Sequence, residues 1–338
     1  MSVADKLIAW QKTNGRNDLP WQVRDPYARW VSETMLQQTQ VATVIGYYER
    51  FMRRFPDVGE LARADLDEVM VLWAGLGYYS RAKHLHEAAQ IIVSQWGGCF
   101  PDNEAELALL PGIGPSTAAA VAAFSFGRQA AIFDGNVKRV FARLTGFEAD
   151  IDVPKNSKAL FEIVRAAVPA KDVETYTQAV MDLGALVCKK EPCCELCPLA
   201  ADCVGAARGV AARLPVRTKK IIRPVKDRTF LIFWCDETFY REKQNQKGVW
   251  RNLYVLPSFD GKLAEDSIIL KAKDVFSDAM NARFIESFTH DFTHYRLQMH
   301  VWAVKTRQIH PGYVKASDIQ GMPTPILKVL TRFFAKRG

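Results

Sequence analysis

The sequence predicts a multidomain protein in which an all-α N-terminal part precedes an α+β domain. Three observations carry this expectation. From Asp5 to Trp96, and again over residues 157–187, apolar residues recur at helical spacing. A compact loop over residues 188–203 then gathers four spaced cysteines. Beyond it the rhythm becomes the two-residue alternation of a sheet, as in Tyr295-Arg-Leu-Gln-Met-His-Val-Trp-Ala. The expected division is 1–204 helical, 205–226 a basic linker, and 227–338 the α+β domain.

Size and composition agree. A chain of 338 residues holds two domains that can each bury a core. Its 49% hydrophobic and 24% charged content is that of a soluble globular protein. No apolar run reaches the ~18 residues of a membrane span, and the first residues lack a signal-peptide core, so a cytoplasmic protein is expected. A net charge of +8 makes a polyanion, nucleic acid first, a plausible partner. Five of the seven cysteines crowd between Cys188 and Cys203, which argues for a metal or cluster site rather than a disulfide scaffold.

Taken in order, Leu7 and Trp10 mark the first helix, and Leu19-Pro20-Trp21 and Asp25-Pro26-Tyr27 separate it from the next. That second helix carries Glu33 between Val31 and Met35. Facing inward, its carboxyl would be held protonated by burial, as a general acid requires; facing outward, it is an ordinary solvated glutamate. Gln37, Gln38, Thr39 and Gln40 follow, amides that suit base edges or a plain helix surface. Gly75 and Gly77 then loosen a break that carries Tyr78 and Tyr79, with Arg81 close behind. An aromatic on such a turn can wedge into a base stack or close a core.

Residues 109–139 hold the densest signals. Gly112 and Gly114 bracket Ile113 in a tight hairpin, and Pro115 suits the first turn of a helix running from Ser116 to Phe126, with Gly127 as its stop. The N-terminal end of that helix is a natural phosphate seat, although a plain helix connection would use the same glycines. Asp134, before Gly-Asn-Val-Lys-Arg, reads as an N-cap followed by a basic first turn. Further on, Cys188, Cys194, Cys197 and Cys203 are separated by five, two and five residues, a ligand set for an iron–sulfur cluster or for zinc, with Cys193 as a spare. Seven Lys or Arg and no acid lie between Val204 and Lys226, with Pro215 and Pro224 against a long helix. In the last third, Thr229–Cys235 and Leu253–Leu256 read as strands, and 264–280 and 325–335 as helices. Two Phe-Thr-His triplets, from Phe288 and from Phe292, precede the Tyr295 strand as a loop able to read a base edge or, less simply, to bind a metal.

Together LPWQ, SETMLQQTQVATVI, LWAGLGYYSRA, LPGIGPSTA, FDGNVKRV and the four-cysteine loop resemble, in order and across essentially the whole chain, the adenine DNA glycosylases of the MutY type, within the endonuclease III-like helix-hairpin-helix superfamily. The resemblance implies a helix-hairpin-helix glycosylase domain whose Cys188, Cys194, Cys197 and Cys203 hold a [4Fe-4S] cluster, followed by a Nudix-like domain. It implies removal of adenine opposite 8-oxoguanine in double-stranded DNA by a monomeric enzyme found with the nucleoid. Glu33 then falls on the catalytic acid and Asp134 on the carboxylate that stabilises the cationic sugar, with Ser116, Asn136 and Lys138 supporting the pocket. DNA contacts are implied for Gln37, Gln38, Arg81, Gly112, Gly114 and the wedge Tyr78, and lesion recognition for Thr293, His294 and Tyr295. The residues agree: expelling adenine needs a proton on the base and negative charge beside the sugar, so Glu33 should keep its proton and Asp134 lose its own.

Two other readings compete. A bifunctional glycosylase/lyase carries lysine where Ser116 stands, and a hydroxyl cannot form its amine adduct. A lesion-binding protein without catalysis would not need Glu33 and Asp134. The chain also departs from the resembled pattern: the first cysteine spacing is five where six is usual, Thr293 replaces a serine, and the Nudix glutamate box is absent, so nucleotide cleavage is not expected.

Overall fold

The computed structural model describes residues 1–218, 222–246, 248–319 and 321–336. The chain forms two compact units, residues 1–64 with 84–219, and residues 65–83 with 220–338. Among the described residues no helix is long and apolar enough to cross a membrane.

The first unit is helical. Its helices are α1 (Val3–Asn14), α2 (Pro26–Leu36), α3 (Val41–Arg54) and α4 (Val58–Arg63). After α5 (Leu66–Trp73), which clusters with the second unit, α6 (Ser80–Trp96) returns the chain to the first. There follow α7 (Glu104–Leu107), α8 (Pro115–Phe126), α9 (Gly135–Thr145), α10 (Pro154–Ala166), α11 (Val173–Leu186) and the short α12 (Val204–Ala207).

The centre of this unit is α8, buried continuously from Thr117 to Phe124 and packed against α2 and α11. A helix apolar on every side is a core helix, and its alanines let the neighbours approach closely. Gly127 ends it in the left-handed conformation, as expected from sequence. The stretch expected to be a linker from residue 205 instead packs into this unit. Gly205, Ala211 and Leu214 are buried there, and Ile151 N–H donates to the Val216 carbonyl at 3.1 Å. Of the basic residues expected in the linker, Lys219 and Lys220 lie outside the described residues.

The second unit is built on a mixed sheet. Its strands are β1 (Val225–Cys235), β2 (Thr238–Tyr240), β5 (Ser258–Asp260), β6 (Ala279–Asp291), β7 (Arg296–Thr306) and β8 (Tyr313–Lys315), while β3 (Glu242–Lys243) and β4 (Tyr254–Val255) pair apart. The order is β6-β7-β1-β2-β8, with β1 and β7 parallel and β5 on β1. Two helices complete the unit, α13 (Glu265–Val275) and α14 (Thr324–Ala335). Leu231, Phe233, Trp302 and Val304 bury one face with Ile268 and Ala272 of α13.

The helix expected over 264–280 stops at Val275. Asp278 turns the chain instead, accepting from the N–H groups of Arg307 and Gln308 and from His310 Nε2, and Ala279 already begins β6. The first Phe-Thr-His triplet, expected on a loop, lies inside β6, and only the second occupies the hairpin over residues 292–295.

Candidate active site

Asp25 caps α2 by accepting from Tyr27 N–H, Pro26 fills the first turn, and the helix buries Trp30, Val31 and Met35. This orientation carries Glu33 into the unit. The residue keeps partial solvent access while its carboxyl is enclosed by protein. Burial pushes that carboxyl up to about 7; the Arg29 guanidinium one turn earlier opposes the rise, and the charge of Asp134 adds to it. Arg29 is itself held by the Val23 carbonyl at 2.9 Å and by the Phe124 ring, 4.2 Å from its guanidinium carbon.

Asp134 is the N-cap of α9, accepting from Val137 N–H at 2.8 Å. Its position is tied to the glycine hairpin through Ser116, whose Oγ accepts from Phe133 N–H at 3.2 Å. Gln37 at the end of α2 donates to Thr117 Oγ1 at 3.2 Å. Gln37 thus lies against the first turn of α8, Ser116 against the chain just before Asp134, and Asp134 within electrostatic reach of Glu33. Lys138 places its ammonium 4.5 Å from the Phe133 ring centre, and burial, then Arg217, lowers its pKa against the pull of Asp134 and Asp152. Asn136 accepts from Arg139 at 2.8 Å and lies against Gly184, where a Cβ would meet Asn136 Cβ at 2.7 Å. Gln38 is exposed, with a positive φ of 56°.

The hairpin itself needs its first glycine. Gly112 has φ of 75°, and a Cβ there would come within 2.7 Å of His84 Cβ. Gly114 caps α8 with no side-chain acceptor, and Pro115 brings no N–H to that first turn.

Beside Arg29 opens a polar cavity of about 300 Å³ that no sequence motif marks. Gln11, Asn17, Gln22, Gln178 and Glu174 line it with Phe124. Below it Asp182, 0% exposed, accepts from Gln11, Gln178 and Arg16, the last giving its backbone N–H, Nε and a terminal nitrogen at 2.5–2.8 Å. The partners lie as far as 171 residues apart, which is why sequence reading does not find them.

The four expected cysteine ligands line one small cavity with Cys193, Arg143, Val187 and Pro192. Two 3₁₀ turns, Cys194–Leu196 and Ala200–Asp202, fold the loop. Burial, then Leu199 N–H acting against it, then the neighbouring thiols of Cys188, Cys203 and Cys194 set Cys197 at about 11. Cys194 rises through burial and then Cys203 and Cys188. Cys193 and Cys194 both line the cavity with the other three. Among the described residues no three such side chains converge on one point suited to a single ion. Arg143, 2% exposed, braces the loop: it donates to the carbonyls of Leu214, Lys189 and Lys190 and to Cys188 Sγ at 3.3 Å. It passes in the sequence as one more basic residue of α9.

In the second unit, Gly75, Gly77 and Tyr78 all have positive φ, and the Tyr78 side chain is 44% exposed. Its hydroxyl shares a 3.1 Å hydrogen bond with Thr293 Oγ1 in the β6–β7 hairpin. Arg81, expected at the DNA surface, is instead 7% exposed, and burial lowers its pKa to about 10. Its guanidinium donates to the carbonyls of Leu76, Gly77 and Tyr78 and lies over the Trp73 and Tyr78 rings, so it braces the turn. In the hairpin His294 is exposed, and Tyr295 packs on Phe292 with the Lys226 ammonium 4.9 Å away. Below it Ser287, His300 and Asp227 are joined by hydrogen bonds of 2.7 and 2.8 Å that stitch β6, β7 and β1.

Residues 31–166 match the HhH-GPD superfamily of base excision DNA repair proteins, and residues 228–332 match the NUDIX domain. The chain is 34% identical over 340 residues to an adenine DNA glycosylase of Buchnera aphidicola subsp. Acyrthosiphon pisum, covering 97% of this chain and 96% of that one. It is 43% identical over 208 residues to the human adenine DNA glycosylase, covering 58% of this chain and 38% of the human one. Among solved structures it is similar to a thermostable thymine-DNA glycosylase, with a TM-score of 0.56, 29% identity, and coverage of 61% of this chain and 95% of that chain.

Proposed function

The chain belongs to the adenine DNA glycosylase family of base excision repair, and from that premise we propose that it releases adenine paired with 8-oxoguanine, and with guanine, from double-stranded DNA. The observation that carries this reading is Glu33, a carboxyl lifted to about 7 by burial and by the charge of Asp134, one helical turn from the Arg29 that lines a polar cavity. An acid with that pKa still holds a proton at neutral pH for a leaving group.

In this mechanism Tyr78 enters the base stack as a wedge and the target adenine is extruded into the polar cavity. The uncapped first turn of α8 and the hairpin of Gly112 and Gly114 grip a backbone phosphate, and Gln37 and Gln38 contact the duplex. Glu33 gives its proton to a ring nitrogen of the adenine as the bond to C1′ breaks, and that bond's electron pair leaves with the base. Asp134 stabilises the positive charge left on the sugar, and water adds at C1′ to give an abasic site. Ser116, Asn136 and Lys138 support this pocket, Ser116 through the chain just before Asp134.

Ser116 offers a hydroxyl where a lyase would need an amine, which favours base release without strand cleavage. Lys138 is the amine that a residual lyase activity would use. Cys188, Cys194, Cys197 and Cys203 would hold a [4Fe-4S] cluster. The four cysteines line one cavity, and the likeness to the family's four-cysteine loop favours a cluster of irons there over a single zinc. When bound it would supply a staple that fixes the loop beside Arg143.

Thr293, His294 and Tyr295 would read the 8-oxoguanine, Thr293 from its position on the Tyr78 hydroxyl. The test is single-turnover base release from duplexes carrying adenine opposite 8-oxoguanine, guanine or cytosine. Release is expected in that order. The double substitution Thr293→Ala with His294→Ala should slow the 8-oxoguanine duplex by about tenfold more than the guanine duplex. Equal loss on both would remove these residues from lesion recognition.

A further inference from the structure

The cavity inside the cysteine loop is lined by five cysteines, one more than a four-thiolate cluster uses: Cys188, Cys193, Cys194, Cys197 and Cys203. All five are free thiols. The loop is anchored at its two ends. Arg143 donates to the Lys189 and Lys190 carbonyls and to Cys188 Sγ, Cys188 N–H donates to the Leu183 carbonyl at 2.7 Å, and Cys203 Sγ donates to the Arg143 carbonyl at 3.3 Å. Leu199 is buried on the far side.

The turn between these anchors is held differently. From Glu191 to Pro198 every side chain is exposed or half-buried, and Leu196 is 67% exposed. The backbone there is tied by Cys193 N–H to the Val187 carbonyl at 3.1 Å. Two further bonds lie within the turn itself, Leu196 N–H to the Cys193 carbonyl and Cys197 N–H to the Cys194 carbonyl, both 3.2 Å. Rotating the turn therefore moves solvated side chains and disturbs no core packing. Successive Cα atoms stand about 3.8 Å apart, so a shift of that size carries Cys193 to the place of Cys194.

We propose that Cys193 is a reserve ligand of the cluster, taking over the coordination position of Cys194 whenever Cys194 does not ligate. In the exchange the bond from iron to the Cys194 sulfur is replaced by one to the Cys193 sulfur, whose thiol gives its proton to water. The other three cysteines have no such substitute: Cys203, for example, stands between Asp202 and Val204. The inference rests on the reading that the loop holds an iron–sulfur cluster.

The experiment uses the full chain purified without oxygen, with iron per chain and visible absorption as readouts. Cys193→Ala and Cys194→Ala are each expected to keep iron within about twofold of the parent, while Cys203→Ala and the double variant Cys193→Ala with Cys194→Ala fall at least about tenfold. Loss from Cys194→Ala as deep as from Cys203→Ala overturns the proposal. Equal iron in Cys194→Ala and the double variant also overturns it, since Cys193 then contributes no bond. Alkylation by iodoacetamide, mapped by peptide mass, gives a second readout. Cys193 should react in the parent and be shielded in iron-loaded Cys194→Ala; parental reactivity there overturns the exchange. A Cys194→Ala chain that has lost cooperative unfolding is replaced by Cys194→Ser, compared in the same way with Cys193→Ala plus Cys194→Ser. The underlying reading is tested apart by the parent chain: zinc with no visible absorption overturns the cluster itself, whereas an iron-loaded parent with an emptied Cys194→Ala overturns the reserve ligand alone.

Discussion

Burial on α2 raises the Glu33 carboxyl, and Arg29 limits the rise. The sign follows directly. Burial lifts the carboxyl to about 7, the charge of Arg29 pulls it down, and that of Asp134 pushes it up. As the acid works protonated, base release should decline as pH rises through about 7. Replacing Arg29 with methionine removes the opposing charge, so the declining limb of the pH–rate profile should move to higher pH; a limb that stays or moves lower would contradict the assignment. Ser116 makes a second prediction at this scale. Ser116→Lys should strengthen strand nicking and yield an adduct trapped by borohydride, and the absence of an adduct would count against the slot argument. The apolar neighbours of Glu33 frame an inward-facing alternative in the sequence, while its proposed role comes from the resemblance. Arg29 is not marked there, because nothing local says that it turns toward Val23 and Phe124.

At the scale of elements, local signals were the reliable ones. The Gly112 hairpin, Pro115, the Gly127 stop and the Asp134 cap each act within one helical turn, and each stands in the structure where the sequence predicts it. Signals that need direction or distance were not legible. Arg81 carries a positive charge, but its side chain turns back onto the carbonyls of its own turn. The helical rhythm expected through residue 280 breaks because Asp278 satisfies the backbone of residues 307 and 308, far away in sequence. Arg143 belongs to the same class: its value lies in carbonyls up to 71 residues distant. Arg143→Met would leave the carbonyls of Lys189, Lys190 and Leu214 without their donor in a buried setting, a loss of roughly 3 kcal/mol or more. Bound iron per chain and the unfolding midpoint should both fall; parental values for both would show that the arginine does not brace the loop.

At the scale of the whole molecule, the sequence conveys two bodies of different class, and the structure divides the chain accordingly, with one exchange. Residues 65–83 cluster with the sheet-bearing unit, and residues 205–218 with the helical one. Both exchanges depend on tertiary packing, which composition and proline content do not encode. Glu33 and Asp134, the proposed catalytic pair, lie in the helical unit, while Tyr78 and Thr293 share the other. The proposed chemistry and the proposed lesion reading thus fall in different compact units of one chain. Such a protein should be able to lose its chemistry and keep its grip on DNA. The most direct measurement is single-turnover adenine release by Glu33→Gln on an adenine:8-oxoguanine duplex, with duplex affinity measured alongside. We expect affinity to stay within a few-fold of the parent and release to fall by about 10²–10⁴. Release at the parental rate would contradict Glu33 as the acid.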